Sequence, residues 1–409
     1  MLIISFYQVA CSPARLPVLQ KDGMRFRFLL SSPHGDIELS LKDLEQPFRI
    51  SPSEKHPFLT LHDYFGALQK FILSNDGKHL YAALAKMKLQ GRKKQADISE
   101  ILIRSEKHGA FYHIASIEFA GLEKKKKVAI TTALAGAAKS SLKEVFFLMQ
   151  QLASMNPDFL PRFFCREGVT WPTDSGAEEF YMVLGEWLDD FHEWHLSVNP
   201  ATKKQQIQLW DYKNNYRFLS DAESYELLRQ ISYILTCYYD PNSFCQIYPW
   251  HHGAGDFVVK AKAGTISVKL ITVRQYEPLV NFVQAEEPDR LVAAIHFLLN
   301  LSLRIRLDRL DGVGEPAWLG DVAVRAAVEG FFSGLDAASK SNSFSTVPIG
   351  DLLEILRSFD ALEVRDMYES LLEIYADEDQ DDLRLIKKKL TDHAAELHET
   401  LQNIPLKRF

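Results

Sequence analysis

Residues Ile247 to Pro278 read IYPWHHGAGDFVVKAKAGTISVKLITVRQYEP, and the way this stretch folds decides how the rest of the chain is arranged around it. Its first third carries two histidines, His251 and His252, and one aspartate, Asp256, among apolar neighbours, which predicts a buried loop. Alternating apolar residues on either side of Ala263-Gly264 then predict two strands joined by a turn. Just upstream, AESYELLRQISYILTCYY (Ala222 to Tyr239) has apolar residues at helical spacing. The pattern is therefore a helix, a polar loop and a short hairpin.

At 409 residues the chain is too long for one ordinary core, so two or three domains are expected. With 46% hydrophobic and 25% charged residues, the composition is that of a globular protein with buried cores. A formal net charge of -7 gives no general attraction to nucleic acid or to an anionic membrane. The one basic run, Lys124 to Lys127, reads as a solvated turn or as a contact for an acidic partner. No apolar run reaches the ~20 residues that span a bilayer. The N-terminal MLIISFYQVACSPARLP has no basic region ahead of its apolar start and reads as a first strand, not a signal peptide. Cys11, Cys165, Cys237 and Cys245 show no CxxC pair and no metal-ligand spacing, so free thiols and a cytoplasmic location are expected.

Four segments follow from the pattern. Residues 1–97 read as an N-terminal α+β module. In it MRFRFLLSS and GDIELSL flank Pro33-His34-Gly35-Asp36 as a hairpin, and Asn75-Asp76-Gly77 stops a helix begun in LTLHDYFGALQKFIL. The polar GRKKQAD marks its end. Residues 98–185 hold three strands, a helix capped by Ser140 or Ser141, and two more strands. Residues 186–340 turn helical, beginning with EWLDDFHEWHL. Residues 341–409 follow a Ser-rich linker as a C-terminal helical extension, whose acidic run DEDQDD suits a helix N-terminus.

The order strand, strand, strand, helix, strand, strand, and then helix, loop and hairpin, resembles the protein kinase-like and aminoglycoside (choline) phosphotransferase-like superfamily. The resemblance covers roughly residues 98 to 335. HHGAGDFVV resembles the family's His-Gly-Asp-Phe catalytic loop, FYMVLGEWLDD its hinge strand, and the helix bearing Glu144 its ion-pairing helix. The resemblance implies an α+β, two-lobed kinase-like fold, with a small antiparallel-sheet lobe and a helical lobe. The N-terminal module and the C-terminal helices are additions to it. Asp256 is then the candidate catalytic base, and Glu144, Gly185 and Glu186 border the candidate ligand cleft.

Phosphoryl transfer needs groups that position phosphates and offset their charge. The family's third-strand lysine falls at Thr131, its asparagine five residues after the aspartate at Ala261, and its second metal-binding aspartate at Thr272. Its histidine, two before the aspartate, falls at Ala254. Of a glycine-rich nucleotide loop, SEKHGAFY keeps only Gly109. Each such missing contact typically costs ~3 kcal/mol of transition-state stabilisation. The expectation is a degenerate, non-catalytic kinase-like protein that binds or scaffolds a protein or small-molecule partner. ATP and Mg enter only under the alternative, an active small-molecule phosphotransferase with atypical metal ligands and Asp256 as base.

Plainer readings stand beside these. Asp256 is also a loop aspartate bonded to its own backbone, and His251 and His252 are also buried imidazoles bonded to main-chain carbonyls. FHEWH spaces its histidines three apart, unlike HExxH, and reads as an amphipathic helix in which Trp187, Leu188, Phe191 and Trp194 form a core stripe. GVGEPAW, with Arg304, Arg306 and Arg309 upstream, is either an anion site or a helix connection. No metal site is expected.

Overall fold

The computed structural model describes residues 20–21, 24–32, 35–50, 54–86, 98–108, 112–120, 126–211, 216–250, 252–279, 289–320, 322–340 and 348–405. The first strand expected near the N-terminus, Gly109, Lys124, Lys125 and His251 lie outside them. The chain is mixed α+β, with a large antiparallel-rich sheet and a helical region. It divides into two compact units, residues 1–143 with 162–187, and residues 144–161 with 188–409.

The first unit begins with β1 (Gln20–Lys21), β2 (Met24–Leu30), β3 (Ile37–Glu38), β4 (Pro47–Arg49), β5 (Lys55–Thr60) and α1 (Leu61–Lys86). It continues through β6 (Glu100–His108), β7 (His113–Ala120) and β8 (Lys126–Ala133) into the start of α2 (Gly136–Met155), whose residues from Glu144 on belong to the second unit, and includes β9 (Phe163–Thr173) and β10 (Gly176–Glu186). The strands lie in the order β1-β2-β6-β7-β8-β10-β9, with β3 on β2. Ile101, Ile103, Ile117, Phe119, Val128 and Ile130 come from alternate positions, so they all point to one face, where Phe65, Leu68 and Phe71 of α1 cover them. Asn75, Asp76 and Gly77 interrupt α1 with φ of 50°, 56° and 72°, where the sequence predicted a stop.

Two expectations change here. The boundary expected at residue 97 falls among residues outside the description, but the chain on either side shares one sheet. β2 runs parallel to β6, with Arg25 opposite Glu100 through to Leu30 opposite Ser105, and Phe26 and Phe28 join the same core. The described residues ahead of position 97 thus fall in the same compact unit as β6 to β8. Also, α2 starts at Gly136, so Ser140 and Ser141 lie inside it; Ser141 Oγ accepts a hydrogen bond from the Tyr112 hydroxyl at 2.8 Å.

The second unit opens with a three-stranded antiparallel sheet, β11 (Glu193–Val198), β12 (Gln205–Trp210) and β13 (Arg217–Phe218). This corrects the helical reading of EWLDDFHEWHL. Trp194 and Leu196 are buried two apart, opposite Leu209 and Ile207, and a segment this short fits either period. Then come α3 (Asp221–Cys237), β14 (Cys245–Ile247), α4 (Gly253–Asp256), β15 (Phe257–Lys262), β16 (Thr265–Leu270) and β17 (Tyr276–Pro278). After these follow α5 (Arg290–Arg304), β18 (Leu307–Arg309), β19 (Pro316–Trp318), α6 (Val322–Lys340), α7 (Ile349–Ser358), α8 (Ala361–Asp366), α9 (Glu369–Tyr375) and α10 (Gln380–Asn403). Ser220 and Glu223 close α3 with a capping box, and the Arg217 guanidinium pulls the Glu223 carboxyl down to about 2.

Candidate functional site

The hairpin predicted from the sequence is present. β15 and β16 pair from Phe257 opposite Leu270 to Lys262 opposite Thr265, and Ala263 and Gly264 turn the chain with φ of 50° and 76°. The segment before it, expected as a buried loop, is buried but partly helical. His252 leads into the single helical turn of α4, which ends at Asp256, and that residue is only 1% exposed. The Asp256 carbonyl accepts the Ile271 amide at 2.8 Å, tying the turn to the far end of the hairpin.

The Asp256 carboxylate meets Arg274. Arg274 Nη1 donates to Asp256 Oδ2 at 2.7 Å and to the Pro249 carbonyl at 3.4 Å. A buried carboxylate requires such a counter-charge, and a guanidinium supplies it permanently. The reading of Asp256 as bonded to its own backbone therefore gives way to an ion pair across the hairpin. Sequence reasoning missed Arg274; its only signal was a lone basic residue shortly after the strand that ends at Leu270.

His252 differs from both sequence readings. Its Nε2 lies 2.9 Å from Oδ2 of Asp382, on α10, so its partner is a carboxylate and not a main-chain carbonyl. Nearby, Glu378 takes hydrogen bonds from the Tyr248 hydroxyl and from Arg304, and Arg304 also donates to Tyr248 at 3.0 Å. The acidic run thus anchors α10 to the segment that precedes the hairpin.

The same contacts correct the anion-site reading of Arg304, Arg306 and Arg309. Arg304 is buried, paired with Glu378 and stacked 4.2 Å from the Tyr375 ring centre. Arg306 is buried, donating to Glu396 at 2.6 Å and to the Leu319 carbonyl at 2.8 Å. Arg309 meets Asp379 at 2.5 Å. All three charges are engaged by carboxylates of the C-terminal segment.

Arg306 Nη1 also lies 3.3 Å from His393 Nδ1. A guanidinium only donates, so this imidazole accepts at Nδ1 and carries its proton on Nε2, toward the Tyr368 hydroxyl at 2.8 Å. Burial, and then the Arg306 charge, push the His393 pKa down from 6.5 to about 3. The unfolded chain takes up this proton near 6.5 and the folded chain resists it, so the stabilisation is complete above that pH and drains as pH falls toward 3. Burial lowers His296 in the same sense. Between pH 7 and 5 the stability of the second unit, read from its urea midpoint, is expected to fall by up to ~1.4 kcal/mol per pH unit through His393, with His296 adding in the same direction, and His393→Gln is expected to flatten the slope.

The other sequence-predicted residues are placed as follows. Glu144 is exposed on α2 and belongs to the second unit. Gly185 and Glu186 belong to the first, at the end of β10. Gly185 sits at a register shift against β9, and a Cβ there would lie 2.9 Å from the Phe163 ring. Glu186 is clasped by Arg162, from Nε at 3.1 Å and Nη2 at 3.0 Å, so its carboxylate is engaged. Thr131 lies within β8, between Ile114 and Val183. Ala261 lies in β15, and Thr272 in the segment after β16. Among the described residues no group of three or more His, Cys, Asp or Glu side chains is placed to hold a metal ion, and no helix is long and apolar enough to cross a membrane. No protein-family model and no curated protein matches the chain.

Proposed function

We propose that this chain is a degenerate member of the kinase-like superfamily that acts without phosphoryl transfer, as a binding or scaffolding protein. The observation that carries the reading is the Asp256–Arg274 ion pair. A base must be free to take the acceptor's proton, and here one carboxylate oxygen is already held at 2.7 Å by a permanently charged group. Ala261 and Thr272 stand where oxygen ligands for metal are needed, and neither offers a carboxylate or carboxamide. The kinase-like part of the reading is supported by strand order. Three consecutive strands, β6 to β8, are followed by α2 and by β9 and β10, with β10 placed beside β8. It is supported again by a helix, α3, leading into the Asp256 turn and its hairpin, with β14 and β17 paired across that turn. Among the described residues Cys165, Cys237 and Cys245 form no disulfide, which suits a reducing compartment such as the cytoplasm.

A thermal titration with Mg-ATP tests the reading. A nucleotide present at a hundred times its Kd stabilises a protein by ~2.7 kcal/mol, and millimolar Mg-ATP is expected to give no stabilisation that Asp256→Asn removes. Phosphate transfer from Mg-ATP to a small hydroxyl compound, lost in Asp256→Asn, would replace this reading with the active phosphotransferase.

A further inference from the structure

A cavity of about 640 Å³ opens within the second unit, between α3 and the β15–β16 hairpin, well within the ~300–1,000 Å³ usual for small-ligand sites. Its lining is of two kinds. Phe159, Phe191 and Tyr233 supply aromatic walls, with the Phe159 and Tyr233 rings edge to face at 5.7 Å. Arg229, Lys260 and Lys269 supply positive charge, against one lining carboxylate, Asp158.

The three cations are not equivalent. Arg229 is clasped by Glu226, with both bonds at 2.7 Å, and is neutralised there. Lys260 and Lys269 differ. The register sets Lys260 opposite Ser267 and Lys269 opposite Val258, so the two lysines are diagonal neighbours on one face of the hairpin. Such neighbours lie ~7–8 Å apart, close enough for both ammonium groups to reach one anionic group. Their protein partners are weak. Lys269 meets the Asp158 main-chain carbonyl, and Lys260 meets the Asp189 carbonyl at 3.2 Å and, at 2.9 Å, an Asp190 carboxylate that is 67% exposed. An incoming anion can take the place of an exposed carboxylate at little loss. Two like charges side by side do nothing for a hairpin by themselves and cost it a little. Burial keeps the Tyr233 phenol protonated, pushed up to about 12, and so able to donate.

We propose that this cavity is a binding site for a small aromatic anion, its ring between Phe159, Phe191 and Tyr233 and its carboxylate or phosphate held by Lys260 and Lys269. The site is separate from Asp256 and Arg274 and does not depend on the kinase-like reading.

Phenyl phosphate is the probe, titrated into the full chain by calorimetry, with phenol and inorganic phosphate as the two halves tested alone. Phenyl phosphate is expected to bind about tenfold or more tighter than either half, and Lys260→Gln/Lys269→Gln to weaken it by about tenfold or more at an unchanged melting temperature. Raising the salt is expected to weaken the wild-type interaction and leave the residual binding of the double variant unmoved. Phenol binding as tightly as phenyl phosphate, a double variant that binds like wild type, or no measurable heat at millimolar probe would each overturn the proposal.

Discussion

Gly330→Leu is expected to remove about 3 kcal/mol or more from the stability of the second unit, read as a fall in its urea midpoint. α3 and α6 approach closely at this glycine. A Cβ at position 330 would lie 2.4 Å from the Arg229 carbonyl oxygen and 2.6 Å from Ser232 Cβ. Neither obstacle can rotate away, since one is main chain and the other is fixed to it. Gly334, one helical turn on, meets Thr236 Cβ at 2.6 Å and the Tyr233 carbonyl at 3.1 Å in the same sense. Between the helices the Ser232 hydroxyl donates to the Ala327 carbonyl at 2.6 Å, a bond that any separation would break inside a dry interface. Leucine therefore forces the helices apart along the whole seam and forfeits its dispersion contacts as well as that bond. Gly350→Ala is the matching control. Nothing lies within 4 Å of its Cβ position, so a change within ~0.5 kcal/mol is expected. An unchanged midpoint in Gly330→Leu would show that α3 and α6 do not meet this closely.

Local signals in this chain were legible and remote ones were not. Ala263-Gly264 between two alternating runs is a hairpin by short-range sterics alone, and Asn75-Asp76-Gly77 stops a helix for the same reason. The parallel pairing of β2 with β6 is invisible at that range. Its partners are separated by the whole of α1, and a parallel pair leaves no turn signature between its strands, so residues 1–97 looked like a module of their own. FHEWHL failed for another reason. Its apolar residues suit a helix at Phe191 and Trp194 and a strand at Trp194 and Leu196, and only the partner strand, with Ile207 and Leu209, decides between them. The burial of Asp256 was legible from its apolar neighbours, whereas its counter-charge was not. His252 and Asp382 lie 130 residues apart, and nothing local in the arginines at 304, 306 and 309 shows that carboxylates near the C-terminus already neutralise them.

That counter-charge gives the second large effect. Arg274→Met is expected to destabilise the second unit by ~3–5 kcal/mol, because it leaves the Asp256 carboxylate charged, buried and without its guanidinium. Asp256→Asn is expected to be milder, about 1–2 kcal/mol, since the stranded Arg274 side chain is 38% exposed and water can reach it. The double variant Asp256→Asn/Arg274→Met removes both charges and is expected to recover much of the loss, giving a coupling of about 2 kcal/mol or more in a double-mutant cycle of urea midpoints. The sign of the Asp256→Asn effect bears directly on what the site is for. A carboxylate kept for chemistry is typically a liability to the fold, and its neutral isostere stabilises. A carboxylate kept to pin the Asp256 turn against the segment after β16 makes asparagine destabilising, with the loss largely cancelled once Arg274 is removed too. Strong coupling together with a destabilising asparagine places Asp256 in the fold's own framework, where a proton acceptor for an incoming hydroxyl is no longer free to act.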